Sequence, residues 1–168
     1  MLAQAARSLE IAGAECIAIC TNTMHKVAPT VSQAVRIPLI HIADATGEAI
    51  RERHFNKIGL LGTQFTMEQT FYRDRLIEQF GLTVITPNKA DRSSVHRIIY
   101  DELCLGQIRP ESQLIYRDIM TQLVAQGAEG IILGCTEIAL LVKPEDASVP
   151  LFDTAQLHAH AIAQFALS

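Results

Sequence analysis

Two of the four cysteines end the same kind of local segment, a short apolar run that closes in Cys-Thr. Cys20 follows the run IAI, and Cys135 follows the run GIILG. A thiol with an ordinary pKa of about 8.5 is only about 3% thiolate at pH 7, so a reactive cysteine needs neighbours that stabilise its anion. A helix N-terminus lowers the pKa by about one unit or less. We therefore expect nearby hydroxyl or amide donors to supply the remainder, namely Thr21, Asn22, Thr23 and Thr136.

Both Cys-Thr pairs belong to an internal repeat. Residues 13–21 are GAECIAICT and residues 127–136 are GAEGIILGCT, with one extra residue in the second copy. Further along the chain, IPLI at residues 37–40 matches VPLF at residues 149–152. Each copy therefore predicts a helix with a glycine cap, a strand, the Cys-Thr pair, a second helix and a strand that follows a proline.

The repeat indicates what two matched thiols can do. Ligands of parallel α/β sheets bind beyond the carboxyl ends of the strands, which is where Cys20 and Cys135 fall. If the two copies face each other across a pseudo-twofold axis, the thiols approach one ligand from opposite sides. That arrangement suits the removal of a proton from one face of a carbon and its return to the other, which is racemisation by two bases. A hydrolase needs one nucleophile and one oxyanion site, so it does not explain a repeated Cys-Thr pair.

The elements that position these residues are those of an α/β fold with parallel sheets. Short apolar runs alternate with amphipathic stretches, a pattern typical of βα units. Helix starts are predicted at Thr66 through a capping box, at Ser94 and at Pro110. Gly81 and Gly127 are expected to end helices. The predicted strands cover residues 15–20, 38–41, 57–61, 82–86, 130–134 and 149–152.

The composition predicts a globular chain with an aliphatic core. Of 168 residues, 49% are hydrophobic and 19% charged, which excludes a disordered chain, while aromatic residues make up only 5%. The net charge of −4 offers no basic surface for nucleic acid or an anionic membrane, so a small molecule is the expected partner. Glu137 interrupts the best candidate for a membrane span, and residues 1–7 do not resemble a signal peptide. We expect a cytoplasmic protein with reduced cysteines.

The segments around the two cysteines resemble a known family. CTNTMHK at residues 20–26 and GCTEI at residues 134–138 are similar to the two signature segments of the aspartate/glutamate racemase family, in particular its broad-specificity amino-acid racemases. The resemblance extends through HIADAT at residues 41–46 and LGT at residues 61–63. It implies interconversion of L- and D-amino acids without pyridoxal phosphate or a metal. It also implies two pseudo-symmetric parallel-sheet lobes with the active site between them, in a homodimer.

The resemblance also implies roles for individual residues. It makes Cys20 and Cys135 the catalytic proton donors and acceptors, without indicating which thiol serves which enantiomer. Glutamate racemases place a histidine where this chain has Glu137, so the chain resembles the aspartate-type or broad-specificity branch. The residues implied to line the substrate site are Thr21, Asn22, Thr23, Thr136 and Glu137.

The spacing within the repeat predicts two unequal halves. The first strand of the second copy begins 77 residues before Cys135 (135 minus 58), and the same spacing from Cys20 falls at about position −57. A first half that is naturally shorter is one explanation, and a first lobe that lacks most of its front half is the other. On the second explanation, residues 1–50 and 153–168 are the remnant of the first racemase lobe, and residues 51–152 form the second racemase lobe.

Two other functions remain open at this point. A truncated, non-catalytic remnant or binding protein of the same fold would present an unpaired apolar strand edge, which recruits a partner. A relative that acts on hydantoins or maleate fits the fold, but it fits the CTNT segment at residues 20–23 less well. Exchange of the Cα proton of an amino acid distinguishes an active racemase from a remnant.

The remaining candidate residues have structural explanations. Cys16 and Cys104 are expected to fill space in the core or near the surface, since no zinc-site spacing accompanies them. His25 follows the first Cys-Thr segment and either starts a helix or orients a ligand. His158 and His160 are two residues apart, so they do not share one side of a helix, and we expect both to be solvated.

Overall fold

The computed structural model describes all residues, 1–168, and contains six strands and nine α-helices. None of the helices combines the length and the hydrophobicity that a membrane span requires. The strands are β1 (Ile17–Ala18), β2 (Leu39–Ile40), β3 (Lys57–Gly62), β4 (Thr83–Ile85), β5 (Gly130–Gly134) and β6 (Leu151–Asp153). The helices are α1 (Leu2–Ile11), α2 (Ala28–Ser32), α3 (Ile42–Glu52), α4 (Gln64–Glu68), α5 (Thr70–Phe80), α6 (Lys89–Asp101), α7 (Pro110–Ala125), α8 (Ile138–Leu141) and α9 (Thr154–Leu167).

Four strands form the larger sheet, in the order β4-β3-β5-β6 with every pair parallel. All five residues of the central strand β5 are buried, as is typical of a parallel sheet that is covered on both faces. The last residues of β3 and β5 approach closely, because a Cβ on Gly62 would lie only 2.9 Å from the carbonyl oxygen of Gly134. Glycine at this position therefore lets the two strands end side by side.

The smaller sheet consists of β1 and β2, which are parallel and two residues long. Its core is a separate cluster of five buried residues, whereas the cluster around the larger sheet has 26. The edge of β1 away from β2 pairs with no strand. An apolar groove of about 250 Å³ borders β1 and α1, with Leu9, Ile17, Ile19 and Met24 among its lining residues.

The two sheets repeat the same local geometry, as the sequence repeat predicts. Gly13 and Gly127 both have a φ of +94°, a backbone conformation that favours glycine. Ile17 and Ile131 each donate a backbone N–H to the proline carbonyl that precedes the partner strand, at 2.8 and 3.0 Å. The strand pairs β1-β2 and β5-β6 are therefore equivalent, and the predicted α/β fold with two parallel sheets is confirmed.

All six predicted strands are present, although those of the smaller sheet are short. β5 covers the predicted residues 130–134, whereas β1 keeps only two of the predicted residues 15–20. The predicted start of α7 at Pro110 is confirmed, because this proline occupies the first turn. The predicted end of α5 is also confirmed, because Gly81 follows it with a φ of +68°.

Two of the predicted helix caps are wrong, because neighbouring residues cap these helices instead. Thr66 lies inside α4, and Thr63 is the N-cap whose hydroxyl accepts the backbone N–H of Thr66. Ser94 lies inside α6, which begins more than one turn earlier, after its N-cap Asn88. The Ser94 hydroxyl donates to the carbonyl of Ala90 within the helix, so it is not available as a cap.

Three buried histidines meet between the two sheets. The ring centroid of His25 lies 4.3 Å from that of His41 and 5.9 Å from that of His158. The prediction that His158 is solvated is wrong, since it is 3% exposed and donates from Nε2 to the carbonyl of Ile40 at 2.7 Å. His160 is exposed, as predicted. The bond from His158 fastens α9, which follows the larger sheet, to β2 of the smaller one.

The hydrogen bonds of His25 and His41 require both rings to be neutral. His25 donates from Nδ1 to the carbonyl of Thr21 at 2.8 Å and accepts the backbone N–H of Ile42 at Nε2. His41 accepts the backbone N–H of Ala43 at Nδ1 and so caps α3. Burial lowers the pKa of His25 to about 4 and the pKa of His41 to about 2. His25 therefore has a structural role, in which it joins the segment after β1 to the start of α3.

We expect the free energy of unfolding to fall as the pH drops from 7 to 5. The folded-state pKa values of His25 and His41 lie below their ordinary value of 6.5, so below that pH the unfolded chain binds more protons than the folded chain. The slope is at most about 1.4 kcal/mol per pH unit for each histidine. Urea unfolding followed by circular dichroism at several pH values in this range measures the slope.

Two variants test whether the buried rings are responsible for this pH dependence. His41→Asn keeps a side-chain acceptor at the N-cap but does not titrate, so its stability should depend less on pH than that of the wild type. His160→Gln replaces an exposed histidine and should leave the pH dependence as it is. An equally steep slope in His41→Asn and the wild type would contradict the assignment.

Candidate active site

A cavity of about 300 Å³ lies where the segments that follow β1, β3 and β5 converge. The carboxyl ends of parallel strands are the usual position of ligand sites in α/β folds. Thirteen residues line the cavity, and both Cys-Thr pairs are among them. The structure therefore brings together all seven residues that the sequence analysis selected for the site, which are Cys20, Thr21, Asn22, Thr23, Cys135, Thr136 and Glu137.

The segment after β1 is held against the rest of the chain by side-chain hydrogen bonds. Asn22 donates from Nδ2 to the hydroxyl of Thr154 at 2.9 Å, and that hydroxyl donates to the carbonyl of Leu133 at 2.9 Å. The hydroxyl oxygens of Thr23 and Thr63 lie 3.0 Å apart. These contacts connect the loop that carries the first cysteine to the ends of β3 and β5.

Two groups on this segment have no hydrogen-bond partner in the protein. One is the thiol of Cys20, an exposed residue near the start of the segment. Oδ1 of Asn22 is buried and accepts no hydrogen bond. Because an unpaired buried acceptor costs about 1–3 kcal/mol, Oδ1 of Asn22 is a position where an N–H or O–H of a ligand would be favourable.

The second cysteine lies beside a carboxylate. The half-buried thiol of Cys135 donates to Oε2 of Glu137 at 2.9 Å, and the hydroxyl of Thr136 donates to the same oxygen at 2.8 Å. Burial, together with the hydrogen bond to Glu137 and its negative charge, raises the pKa of Cys135. Burial alone would raise the pKa of Glu137, but the hydrogen bonds from Cys135 and Thr136 hold it below its usual value. Cys135 therefore rests as a protonated thiol next to an ionised Glu137.

Two of the four residues expected to stabilise the thiolates, Asn22 and Thr136, donate to other groups instead. Thr136 donates to Glu137 and Asn22 donates to Thr154, so neither donates to a thiol. The helix after Cys135, α8, has only four residues and adds little to the local field. The carboxylate of Glu137 explains the difference at Cys135, because it accepts the Thr136 hydroxyl hydrogen that the sulfur would otherwise accept.

Six of the lining residues were not selected from the sequence. Thr63 follows β3 and lies in one of the segments that carry the family resemblance. Cys104 was expected to be structural filler, yet it is exposed and lines the cavity. It is brought there by a 3₁₀ turn after α6, which no local sequence signal indicates. The six residues are Met24, Thr63, Ile99, Tyr100, Cys104 and Gly134.

The cavity walls contain no dense cluster of metal-ligand side chains. No group of three or more His, Cys, Asp or Glu side chains in the chain is arranged to hold a metal ion. Glu137 is the only lining residue that is an aspartate, glutamate, lysine, arginine or histidine. The cavity therefore offers thiols, hydroxyls, an amide oxygen and one carboxylate to a ligand.

Comparison with known proteins places the chain among racemases. The family model of the Asp/Glu/Hydantoin racemases matches residues 1–162. The chain is 24% identical over 146 residues to the broad specificity amino-acid racemase RacX of Bacillus subtilis, and the match covers 87% of this chain and 62% of RacX. It thus spans less than two thirds of that relative.

Two solved structures are closely similar over almost the whole chain. A protein from Yersinia pestis that has been assigned as an Asp/Glu racemase is 57% identical, with a TM-score of 0.95. An aspartate racemase homologue from Pyrococcus horikoshii OT3 is 40% identical, with a TM-score of 0.88. Each match covers 99% of this chain and 73% of the other chain. The matching family model, supported by two similar folds at 57% and 40% identity, means that this chain belongs to the Asp/Glu/Hydantoin racemase family.

Proposed function

We propose that this chain is an amino-acid racemase that interconverts L- and D-amino acids by proton transfer between two cysteines, without pyridoxal phosphate or a metal. Membership of the family supports racemase activity. The observation that carries the two-base mechanism is that Cys20 and Cys135, which follow equivalent strands of two repeated units, line the same cavity. A single-base enzyme would not need the second thiol at that position.

Each turnover transfers one proton away from the substrate and another one back. The Cys20 thiolate takes the proton from one face of the Cα atom, which breaks the C–H bond. The Cys135 thiol then gives its own proton to the opposite face, which forms the new C–H bond and inverts the configuration. Cys20 ends as a thiol and Cys135 as a thiolate, so the enzyme is ready to convert the other enantiomer. Cys135 starts as the acid because its thiol is protonated beside Glu137.

Polar groups of the cavity hold the substrate in this mechanism. Asn22 lines the cavity, and its buried, unpaired Oδ1 accepts a hydrogen bond from the α-ammonium group when the side chain turns toward the substrate. The hydroxyls of Thr21 and Thr23 are the available donors for the α-carboxylate, whereas Thr136, which lines the same cavity, donates its hydroxyl to Glu137. Fixing both polar groups orients the Cα atom between the two sulfur atoms, which is how binding contributes to the rate.

We also propose how the chain divides into lobes. Residues 1–50 and 153–168 form the first racemase lobe and residues 51–152 the second. The hydrogen bond from His158 of α9 to the carbonyl of Ile40 in β2 supports the assignment of the last residues to the first lobe. We further propose that the protein acts in the cytoplasm as a homodimer.

A non-catalytic binding protein of the same fold is the second candidate. The observation that favours it is the apolar groove beside the unpaired edge of β1, which resembles the sites where extended peptides add a strand to a sheet. Such a protein would bind a partner at β1 and exchange no substrate proton. The activity test for the two thiols therefore separates the candidates.

Replacing either thiol should stop racemisation. Cys20→Ser and Cys135→Ser each remove one of the two bases, and we expect full inversion of an amino acid to fall by at least about 10³-fold in each variant. Each variant should still exchange the Cα proton of one enantiomer, a different one in each case. Polarimetry measures inversion, and NMR in deuterated water measures loss of the Cα proton. Cys16→Ser, which changes a half-buried cysteine outside the cavity, is the matched control and should retain activity.

Three results of the serine-variant test lead to three different conclusions. Normal rates of inversion in both directions in either serine variant would rule out the two-base assignment. Loss of activity in Cys16→Ser as well would indicate a folding defect, which circular dichroism of the same samples detects. No exchange by the wild type with any of several amino acids would favour the binding protein.

The reactivity of Cys135 should depend on Glu137. Burial and the Glu137 carboxylate raise the pKa of this thiol, so its alkylation by iodoacetamide should stay slow at neutral pH and increase only in alkaline solution. Glu137→Gln removes the charge, and we expect Cys135 to be alkylated about ten times faster at pH 8. Peptide mass spectrometry gives the rate at each cysteine, with Cys16 as the internal reference. Fast alkylation of Cys135 at pH 7 in the wild type would contradict the protonated resting state.

A further inference from the structure

A second cavity, of about 420 Å³, lies between the loop after β1, the start of α3 and one face of α5. It shares no lining residue with the cavity that holds Cys20 and Cys135. His25 lines the second cavity and donates to the carbonyl of Thr21, which lines the first one. The two cavities therefore adjoin the same short segment but are separate sites. The volume of the second cavity is in the range that small-molecule sites occupy.

His41 presents an unused hydrogen-bond donor to the second cavity. Its side chain lines the cavity and is only 6% exposed. Nδ1 accepts the backbone N–H of Ala43, so the neutral ring carries its proton on Nε2, and this N–H donates to no group of the protein. Since buried polar groups in proteins are nearly always paired, Nε2 of His41 is a favourable position for an acceptor atom of a ligand.

A guanidinium with a free nitrogen lies near this ring. Arg75 lines the second cavity, and its Nε and Nη2 donate to the two carboxylate oxygens of Asp44, which leaves Nη1 without a partner. The charge of Arg75 contributes to the low pKa of His41, as expected for groups that face the same space. The N–H groups of His41 and Arg75 together suit a carboxylate, because hydrogen bonds that involve ionised groups are the stronger ones.

The same cavity also contains two carboxylates. Asp74 and Glu78 both line it and lie one turn apart on α5. Glu78 makes no hydrogen bond or ion pair, and the only ion pair of Asp74 is with the adjacent Arg73, at 3.7 Å. These two charges would repel a simple anion such as phosphate. A ligand that carries a cationic nitrogen as well as a carboxylate would pair with both kinds of group.

We infer that the second cavity is a binding site for a free amino acid in its zwitterionic form, separate from the cavity of the two cysteines. The α-carboxylate accepts hydrogen bonds from Nε2 of His41 and Nη1 of Arg75, and the α-ammonium group pairs with Asp74 and Glu78. The formal charges of the lining residues support a neutral ligand, because those of Lys26 and Arg75 balance those of the two carboxylates. The site does not require racemase activity.

The test uses 2-methylalanine, an amino acid without a Cα hydrogen, which takes no part in proton exchange. Long-range ¹H–¹⁵N NMR of the imidazoles gives a readout at the site, with the His41 signals assigned by their loss in His41→Asn. We expect 2-methylalanine to shift the Nε2 signal of His41 saturably. The signals of His160, an exposed residue outside the second cavity, are the internal control and should not move.

Two analogues separate the contributions of the ligand's charges. Isobutyrate lacks the ammonium group, and we expect it to bind at least about threefold more weakly, as an exposed ion pair contributes little more than this. Isopropylamine lacks the carboxylate and should leave the His41 signal unchanged. Equal affinities for 2-methylalanine and isobutyrate would overturn the zwitterion assignment, and no shift of His41 with any of the three compounds would overturn the site.

Variants of exposed residues test the ammonium contact without disturbing the core. Glu78→Gln should lower the affinity for 2-methylalanine to about that for isobutyrate, which itself should not bind more weakly than before. Glu145→Gln changes an exposed glutamate that lines neither cavity and should have no effect. An unchanged preference for 2-methylalanine in Glu78→Gln would overturn the assigned contact.

Arg75→Lys tests the carboxylate contact. The lysine keeps a charge for Asp44 but has no second nitrogen for a ligand, so both 2-methylalanine and isobutyrate should bind more weakly. Circular dichroism checks that this variant remains folded. Wild-type affinity for both compounds in folded Arg75→Lys would contradict the role of Nη1.

Discussion

Asn22 donates to the hydroxyl of Thr154, which in turn donates to the carbonyl of Leu133, and this buried pair of hydrogen bonds determines where the two cysteines lie. It links the loop after β1, the start of α9 and the end of β5. His158 extends the connection, because the same helix donates to Ile40 of the smaller sheet. Since β1 is only two residues long, its own ladder could not hold the loop, and the position of the first thiol depends on these side chains.

The two thiols occupy different environments even though the sequence repeats around them. Cys135 is half-buried and bonded to a carboxylate, whereas Cys20 is exposed on a loop. An asymmetry of this kind suits a racemase, because one thiol has to begin each turnover as an acid while the other begins as a base. The charge of Glu137 favours the protonated form of Cys135 and so contributes to this asymmetry.

The sequence predicted the strands, and it predicted that the two Cys-Thr pairs come together, because both expectations rest on local patterns. The apolar run at residues 130–134 is a strand in the structure, and the repeat explains why the Cys-Thr pairs meet at one cavity. The contacts that tertiary packing creates were not predictable in this way. His158 is two residues from the exposed His160 but is buried and bonded to Ile40 of β2, and Cys104 reaches the cavity through a turn after α6. Thr63 and Asn88 cap their helices in place of Thr66 and Ser94, since several residues near each helix start were able to cap it.

The central claim is that Cys20 and Cys135 face one ligand, and a short bifunctional thiol reagent tests it most directly. In a Cys16→Ser, Cys104→Ser background, only these two thiols remain. Dibromobimane should join them within one molecule, with a cross-linked peptide pair detected by mass spectrometry, and saturating amino-acid substrate should suppress the reaction. Single additions to each thiol with no cross-link, under conditions in which both react, would contradict the account.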